Sequence, residues 1–143
     1  MNIQIYHSSH ELKKFDTILR KVAAWIAVKL DLKISSALVI LSDDRTLREM
    51  HKEYLDDDSL TDVITFNLSE SDAVEAEIYI SAERAVQNAS RFKTTLSNEL
   101  MRLVIHACLH LAGYDDTTES KRKIMKQKEE QYLTEAEGVF APE

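Results

Sequence analysis

Residues 104–116 have the sequence VIHACLHLAGYDD, in which two histidines stand four positions apart in an otherwise apolar run. The apolar spacing predicts a helix that begins near Ser97 and ends at Gly113, because glycine readily takes the left-handed conformation that closes a helix. A helix that is apolar on most sides is stable only when other elements cover it. This buried helix constrains the fold more than any other segment of the chain.

The rest of the chain contains patterns typical of both strands and helices. Apolar alternation or a short β-rich run predicts four strands, at residues 2–6, 37–41, 63–68 and 77–81. Helical spacing predicts four further helices, at residues 8–30 with Ser8 and Glu11 as a capping box, at 42–54, at 82–92, and from Thr117 or Thr118 onwards. Residues 138–143 are expected to be a frayed tail. We therefore predict an α+β (α/β-like) fold, a single domain over residues 1–143 with a mixed four-stranded sheet packed with about five helices.

The composition narrows the class of protein. The 143-residue chain has no apolar run of the ~18 residues that a membrane span needs and no signal-peptide pattern, so we expect a cytoplasmic protein that does not contact a membrane. Its one cysteine cannot form an internal disulfide, which fits a reducing compartment. The net charge of −7 argues against nonspecific nucleic-acid binding by the whole surface but allows a local basic groove. Nothing in the sequence specifies an oligomeric state.

The two histidines are candidate metal ligands. His106 and His110 lie one turn apart on one helix face, and the turn at Gly113 brings Asp116 within reach of a third coordination position. Two imidazoles and a carboxylate suit zinc or another late divalent metal, and three protein ligands leave a fourth position open, as in catalytic sites. The spacing alone is also consistent with two histidines of a buried helix that bind no metal, so both interpretations stand at this point. Cys108 faces the other side and is expected to be a small buried apolar group.

The two histidines have the spacing found in the zinc proteases, but the glutamate of the protease motif is absent. Their motif H-E-x-x-H needs a glutamate directly after the first histidine, where it acts as general base. Ala107 occupies that position here. We therefore do not expect a thermolysin-like mechanism, and water would be activated by the ion itself or by a base from elsewhere in the chain.

Several motifs of the chain resemble those of one known family. HACLHLAGYDD (106–116) resembles the H-G-x-L-H-L-x-G-Y-D-H signature of the YbeY family, bacterial metal-dependent endoribonucleases of ribosomal RNA maturation. LTDVITF (60–66) resembles that family's T-D-V-L-S-F strand, AEIYIS (76–81) its G-D-I-x-I-S strand, and NELMRLVIH (98–106) the run into its first histidine. Met125 and Glu129 fall where the last helix of the family usually carries methionine and glutamate. The similarity covers roughly residues 36–133 and keeps the family's order of elements.

The resemblance implies a mixed four-stranded sheet surrounded by helices and one divalent metal ion, most often zinc. The ligands would be His106, His110 and the residue at the third histidine position, which in this chain is Asp116. An aspartate in place of the third histidine keeps a metal-binding atom but adds a negative charge. A ligand set of two histidines and one aspartate also makes nickel, iron or manganese possible.

A second departure concerns an arginine that the family commonly carries after the second helix and that is thought to help handle the RNA phosphate. Here Tyr54 is followed by Leu55 and then by three aspartates, so this phosphate-binding cation is missing. The resemblance implies a single-strand endoribonuclease acting in ribosomal RNA maturation, with ribosomal RNA and ribosomal or assembly proteins as partners. Leu55 and the acidic residues favour an alternative, a ribosome-associated, metal-stabilised binding module with weak or no cleavage activity. A metal hydrolase of a small substrate is a third candidate.

Other polar residues have two interpretations each. Thr61 and Asp62 either line the cleft beside the metal or start a strand with a turn hydrogen bond, and no catalytic residue is assigned beyond these two cleft candidates. Arg102 is expected on a solvated face rather than in contact with phosphate. Glu99 is either a helix-start charge or a partner of the metal ligands. The remaining histidines have no neighbour at ligand spacing and are expected on the surface: His7, His10 and His51.

Overall fold

Within residues 1–55 and 61–140, which the computed structural model describes, four strands form one mixed sheet. The strands are β1 (Asn2–His7), β2 (Ile34–Ser42), β3 (Val63–Asn67) and β4 (Val74–Ser81), in the order β1-β2-β4-β3. Strands β1, β2 and β4 run parallel, whereas β3 pairs with β4 in the antiparallel direction and lies at one edge. Val39 in the middle of β2 is opposite Ile5 on one side and Ile78 on the other, so the centre of the sheet is apolar.

The helices connect the strands and cover the sheet. They are a 3-10 helix (His10–Phe15), α1 (Asp16–Lys29), α2 (Asp44–Leu55), α3 (Ala82–Arg91), α4 (Leu96–Leu111) and α5 (Glu119–Val139). A parallel pair of strands needs a crossover connection, which the 3-10 helix and α1 supply between β1 and β2. In the part of the chain that is described, no helix is both long and apolar enough to span a membrane.

Helix α4 lies at the centre of the fold. It packs against α1, α3 and α5 and against strands β3 and β4. Four of its large apolar side chains are completely excluded from solvent: Leu100, Leu103, Ile105 and Leu109. Burial of each such side chain contributes about 1.5–3 kcal/mol relative to leaving it in water, so α4 stabilises the fold from its middle. The predicted buried helix is confirmed, and so is the predicted α+β fold with a mixed four-stranded sheet and five α-helices.

One predicted helix start is wrong, and another is confirmed within two residues. Ser8 does not begin a helix, because its amide donates to the carbonyl of Leu41 at 2.9 Å and so extends the pairing of β1 with β2. The chain then forms the 3-10 helix before α1 begins at Asp16. Helix α4 is capped two residues earlier than predicted, since the Thr95 hydroxyl, rather than that of Ser97, accepts from the amide of Asn98 at 3.1 Å.

The end of the chain is more ordered than predicted. Helix α5 continues to Val139, and Phe140 meets Trp25 of α1 edge to face with ring centroids 5.9 Å apart. A contact with an aromatic ring of another helix outweighs the tendency of a terminal turn to fray. The described part of the predicted frayed tail therefore belongs to the folded protein.

We predict that Cys108 does not react with thiol reagents in the folded protein. The residue is 1% exposed, and burial raises the pKa of its thiol to about 12, so a reagent finds neither access nor thiolate. Ellman's reagent should detect no thiol in native buffer and one thiol per chain in denaturant, which serves as the control. Rapid reaction in native buffer would contradict the central position of α4.

Candidate metal centre

The two histidines lie in the last turns of α4, where the helix emerges from the core. His106 and His110 are both partly buried, and their ring centroids are 4.9 Å apart. Beyond Leu111 the chain turns sharply at Gly113, whose φ of 102° lies in the region that favours glycine. The amide of Gly113 donates to the carbonyl of His110 at 3.0 Å, and this bond closes the turn.

After the turn at Gly113 the chain runs back past the two histidines, and Asp116 lies beside their rings. One ligand atom from each of His106, His110 and Asp116 lies within 4.8 Å of the other two. Ligands of one tetrahedral ion are roughly 3.5 Å apart, a spacing that small side-chain rotations reach from this arrangement. The structure thus brings together the three residues that the sequence predicted as ligands.

The surroundings of His110 favour its neutral form. Partial burial lowers the pKa of His110, and the neighbouring charge of His106 lowers it further, against the opposing charges of Asp116 and Asp115. A neutral imidazole is the form that binds a metal. His110 is therefore in the ligand form at neutral pH without a proton having to be displaced by the ion.

His106 is oriented by a carboxylate from the last helix. Glu129 of α5 is 5% exposed, and its Oε1 lies 2.8 Å from Nδ1 of His106. Burial alone would raise the pKa of Glu129, but the hydrogen bond to His106 and the charge of Arg102 lower it. An ionised carboxylate can only accept, so Nδ1 donates and the lone pair of Nε2 is left for a metal.

Arg102 joins this carboxylate to the rest of a buried network. Its guanidinium donates to Glu99 at 2.6 Å, to Glu129 at 3.1 Å and to Asp62 at 3.4 Å. Glu99 is 1% exposed and also accepts from the amide group of Asn88 at 3.1 Å. Although burial opposes the charge of Arg102, these carboxylates raise the pKa of its guanidinium above the usual range.

The network corrects one prediction and bears on another. Arg102 does not lie on a solvated face, because three carboxylates surround its guanidinium. Glu99 lies in the first turn of α4, as a helix-start charge does, and it also reaches His106 indirectly, through Arg102 and Glu129. Sequence reasoning missed the contact of Glu129 with His106, although the resemblance of the last helix had singled out Glu129.

The three candidate ligands border a cleft of about 560 Å³ between the end of α4 and strand β3. Thr61 and Asp62 line it, and Thr61 also donates to the carbonyl of Val63 at 3.3 Å, so both interpretations of this residue hold. His51, which was expected on the surface, is partly buried and lines the cleft as well. Leu55 ends α2, but its side chain and the aspartates at 56–58 lie outside the described residues.

The donor set fits a divalent transition metal. Two imidazoles and one carboxylate are a combination found in zinc sites with an open position, and the cleft gives that position access. Nδ1 of His106 donates to the carboxylate of Glu129, and metal-binding histidines generally have such an acceptor on their second ring nitrogen. Cys108 points into the core, as predicted, and takes no part.

Known proteins share this fold and these elements. The sequence profile of the family described as Endoribonuclease YbeY matches residues 2–137. A protein of that name from Chlorobium phaeobacteroides (strain BS1) is 33% identical over 138 residues, 94% of this chain and 97% of the relative. One from Flavobacterium psychrophilum is 43% identical over 94 residues, 66% of this chain and 67% of the relative.

A solved structure agrees with the sequence matches. The solution structure of a Thermotoga maritima protein has a TM-score of 0.68 and 32% identity, and the match covers 96% of this chain and 91% of that one. The relatives found by sequence are named endoribonucleases, a class of hydrolase. Because the profile matches nearly the whole chain, this protein belongs to the YbeY family.

We predict that the substitution Arg102→Met destabilises the protein by about 3 kcal/mol or more, because it leaves buried carboxylates without their counter-charge. Arg45→Met is the matched control, since the ion pair of Arg45 with Glu49 is exposed and its loss should cost less than about 1 kcal/mol. Urea unfolding of both variants measures the difference. Equal stabilities would show that the buried network does not hold the helices together.

Proposed function

We propose that this protein is a metal-dependent endoribonuclease that cleaves single-stranded RNA and acts in ribosomal RNA maturation in the cytoplasm. The observation that carries the proposal is the convergence of His106, His110 and Asp116 at the edge of an open cleft, in a chain of the YbeY family. Ribosomal RNA is the proposed substrate, and ribosomal or assembly proteins are the proposed partners.

In this proposal one group of residues binds the metal ion and another lines the cleft that admits the RNA. His106, His110 and Asp116 hold one divalent ion, zinc before nickel, iron or manganese. When bound, the ion supplies Lewis acidity to the scissile phosphate. Thr61 and Asp62 line the cleft beside the ligands and are the side chains proposed to meet the RNA there.

The fixed geometry of the ligands is the chain's own contribution to the reaction. Helix α4 is packed on several sides, so His106 and His110 are carried by a rigid element rather than by a loop. Glu129 keeps the ring of His106 in one orientation and one tautomer. Asp116 lies beyond the turn and is exposed, so it is the ligand with the most freedom to adjust to the ion.

We predict that His110→Ala loses bound metal and RNA cleavage together. Elemental analysis of the purified protein and cleavage of a labelled single-stranded RNA are the two measurements. His10→Ala is the matched control, because His10 is exposed and lies in the 3-10 helix, outside the ligand cluster; it should keep both properties. Equal cleavage by the wild type and His110→Ala would contradict the nuclease and favour the ribosome-associated binding module. A wild type without transition metal would contradict the metal site.

We predict that Glu129→Gln weakens zinc binding by about 10–100-fold, because a neutral amide oxygen is a weaker acceptor for Nδ1–H and no longer raises the basicity of His106. Competition with a chromophoric chelator measures the affinity. Glu130→Gln removes the same charge from the next, exposed residue and should leave the affinity unchanged. Identical affinities of the two variants would show that the carboxylate of Glu129 does not act on the metal ligand.

A further inference from the structure

The first half of α5 is basic in an otherwise acidic chain. Residues 119–130 read ESKRKIMKQKEE, and five of the 18 lysines and arginines of the chain lie between positions 121 and 128. The net charge of the whole chain is −7. Positive charge is therefore concentrated on one helix, and this helix begins directly after the ligand Asp116.

Two of these cations lie beside the metal ligands. Arg122 and Lys126 are four residues apart, so they share one face of α5. Together with His106 and Asp116 they line a second cavity, of about 240 Å³. Nη1 of Arg122 donates to the main-chain carbonyl of Asp116 at 3.3 Å, which fixes the guanidinium next to the third ligand. The metal ligands thus lie between this cavity and the larger cleft.

The larger cleft has no comparable cation. Among the described residues that line it there is no lysine or arginine, and Asp62 adds a carboxylate. Arg102 borders the smaller cavity, but three carboxylates already neutralise it. Among the described residues, Arg122 and Lys126 are therefore the cations that lie next to the ligands and remain available to a substrate phosphate.

We propose that Arg122 and Lys126 bind a phosphate of the RNA strand that flanks the phosphate at the metal ligands. The strand would cross from the larger cleft over His106 and Asp116 into the smaller cavity. This inference rests on the proposed function, and it names the part of the site that holds the substrate backbone. The exposed cations attract any sequence equally, so they set affinity and leave the choice of bases to other contacts.

Arg122 can supply the phosphate-binding positive charge that is missing at position 55. The family's usual arginine position is Leu55 in this chain. A phosphodiester needs a cationic or hydrogen-bonding partner, and a guanidinium can form two parallel hydrogen bonds to it. Arg122, whose Nη1 donates to the carbonyl of Asp116, offers this group beside the ligands.

The test compares two double variants of the full-length, metal-loaded protein. Arg122→Gln with Lys126→Gln removes the two cations of the cavity, and Lys123→Gln with Lys128→Gln removes the same charge from the same helix outside it. Fluorescence anisotropy with a labelled eight-nucleotide single-stranded RNA gives Kd over a range of salt concentrations. Cleavage of the same RNA at saturation gives kcat, and elemental analysis confirms that each variant keeps its metal.

For the cavity variant we expect a Kd raised about tenfold and a plot of log affinity against log salt that is shallower by about 0.7, because the contacts to one phosphate of a single strand are lost. The kcat of the control variant at saturating RNA should stay at the wild-type level, because Lys123 and Lys128 do not line the cavity. The control variant should bind within about twofold of the wild type, as expected for charges that make no direct contact.

Equal weakening by both variants, or by neither, would overturn the inference, since the charge would then act only as a diffuse field or not at all. A wild type that does not bind the RNA would overturn it as well. A wild type that binds the RNA but does not cut it would overturn the proposed function alone. In that case the comparison of the two variants would still decide whether the cavity holds the strand.

Discussion

The enclosure of α4 is the constraint on which the rest of the structure depends. Three helices and two strands pack around it, and its large apolar side chains leave no room for movement. Its last turns reach the surface next to strand β3, where they border the larger cleft. The two histidines are therefore fixed in space by the hydrophobic core, and the chain needs only one turn to add the third ligand.

The buried ion network pairs the polar side chains that the enclosure of α4 removes from water. A carboxylate such as Glu99 at 1% exposure is costly unless it is paired and hydrogen-bonded. Arg102 satisfies it and at the same time holds Glu129 and Asp62, which come from α5 and from the start of β3. The same contacts that neutralise buried charge thus join the metal ligand His106 to the helix and the strand on either side of it.

The sequence allowed prediction of those features that depend on nearby residues. The facing of His106 and His110 follows from helical spacing, and the return of Asp116 follows from a glycine that can take a positive φ. The contact of Glu129 with His106 joins residues 23 positions apart and depends on how α5 crosses α4, which no local pattern contains. The predicted cap at Ser8 failed for a related reason, since a partner on β2 took its amide.

Helix α5 carries both the carboxylate that orients His106 and the two cations that line the smaller cavity. Positions 122, 126 and 129 lie close together on one helix face, so Glu129 and the two cations all face the end of α4. The carboxylate meets the histidine in the interior, whereas the cations remain exposed nearer the turn. A shift of α5 would therefore change the orientation of the metal ligand and the position of the basic face together. In a chain with a net charge of −7, Arg122 and Lys126 thus place the positive charge that is proposed to bind RNA beside the candidate ligands.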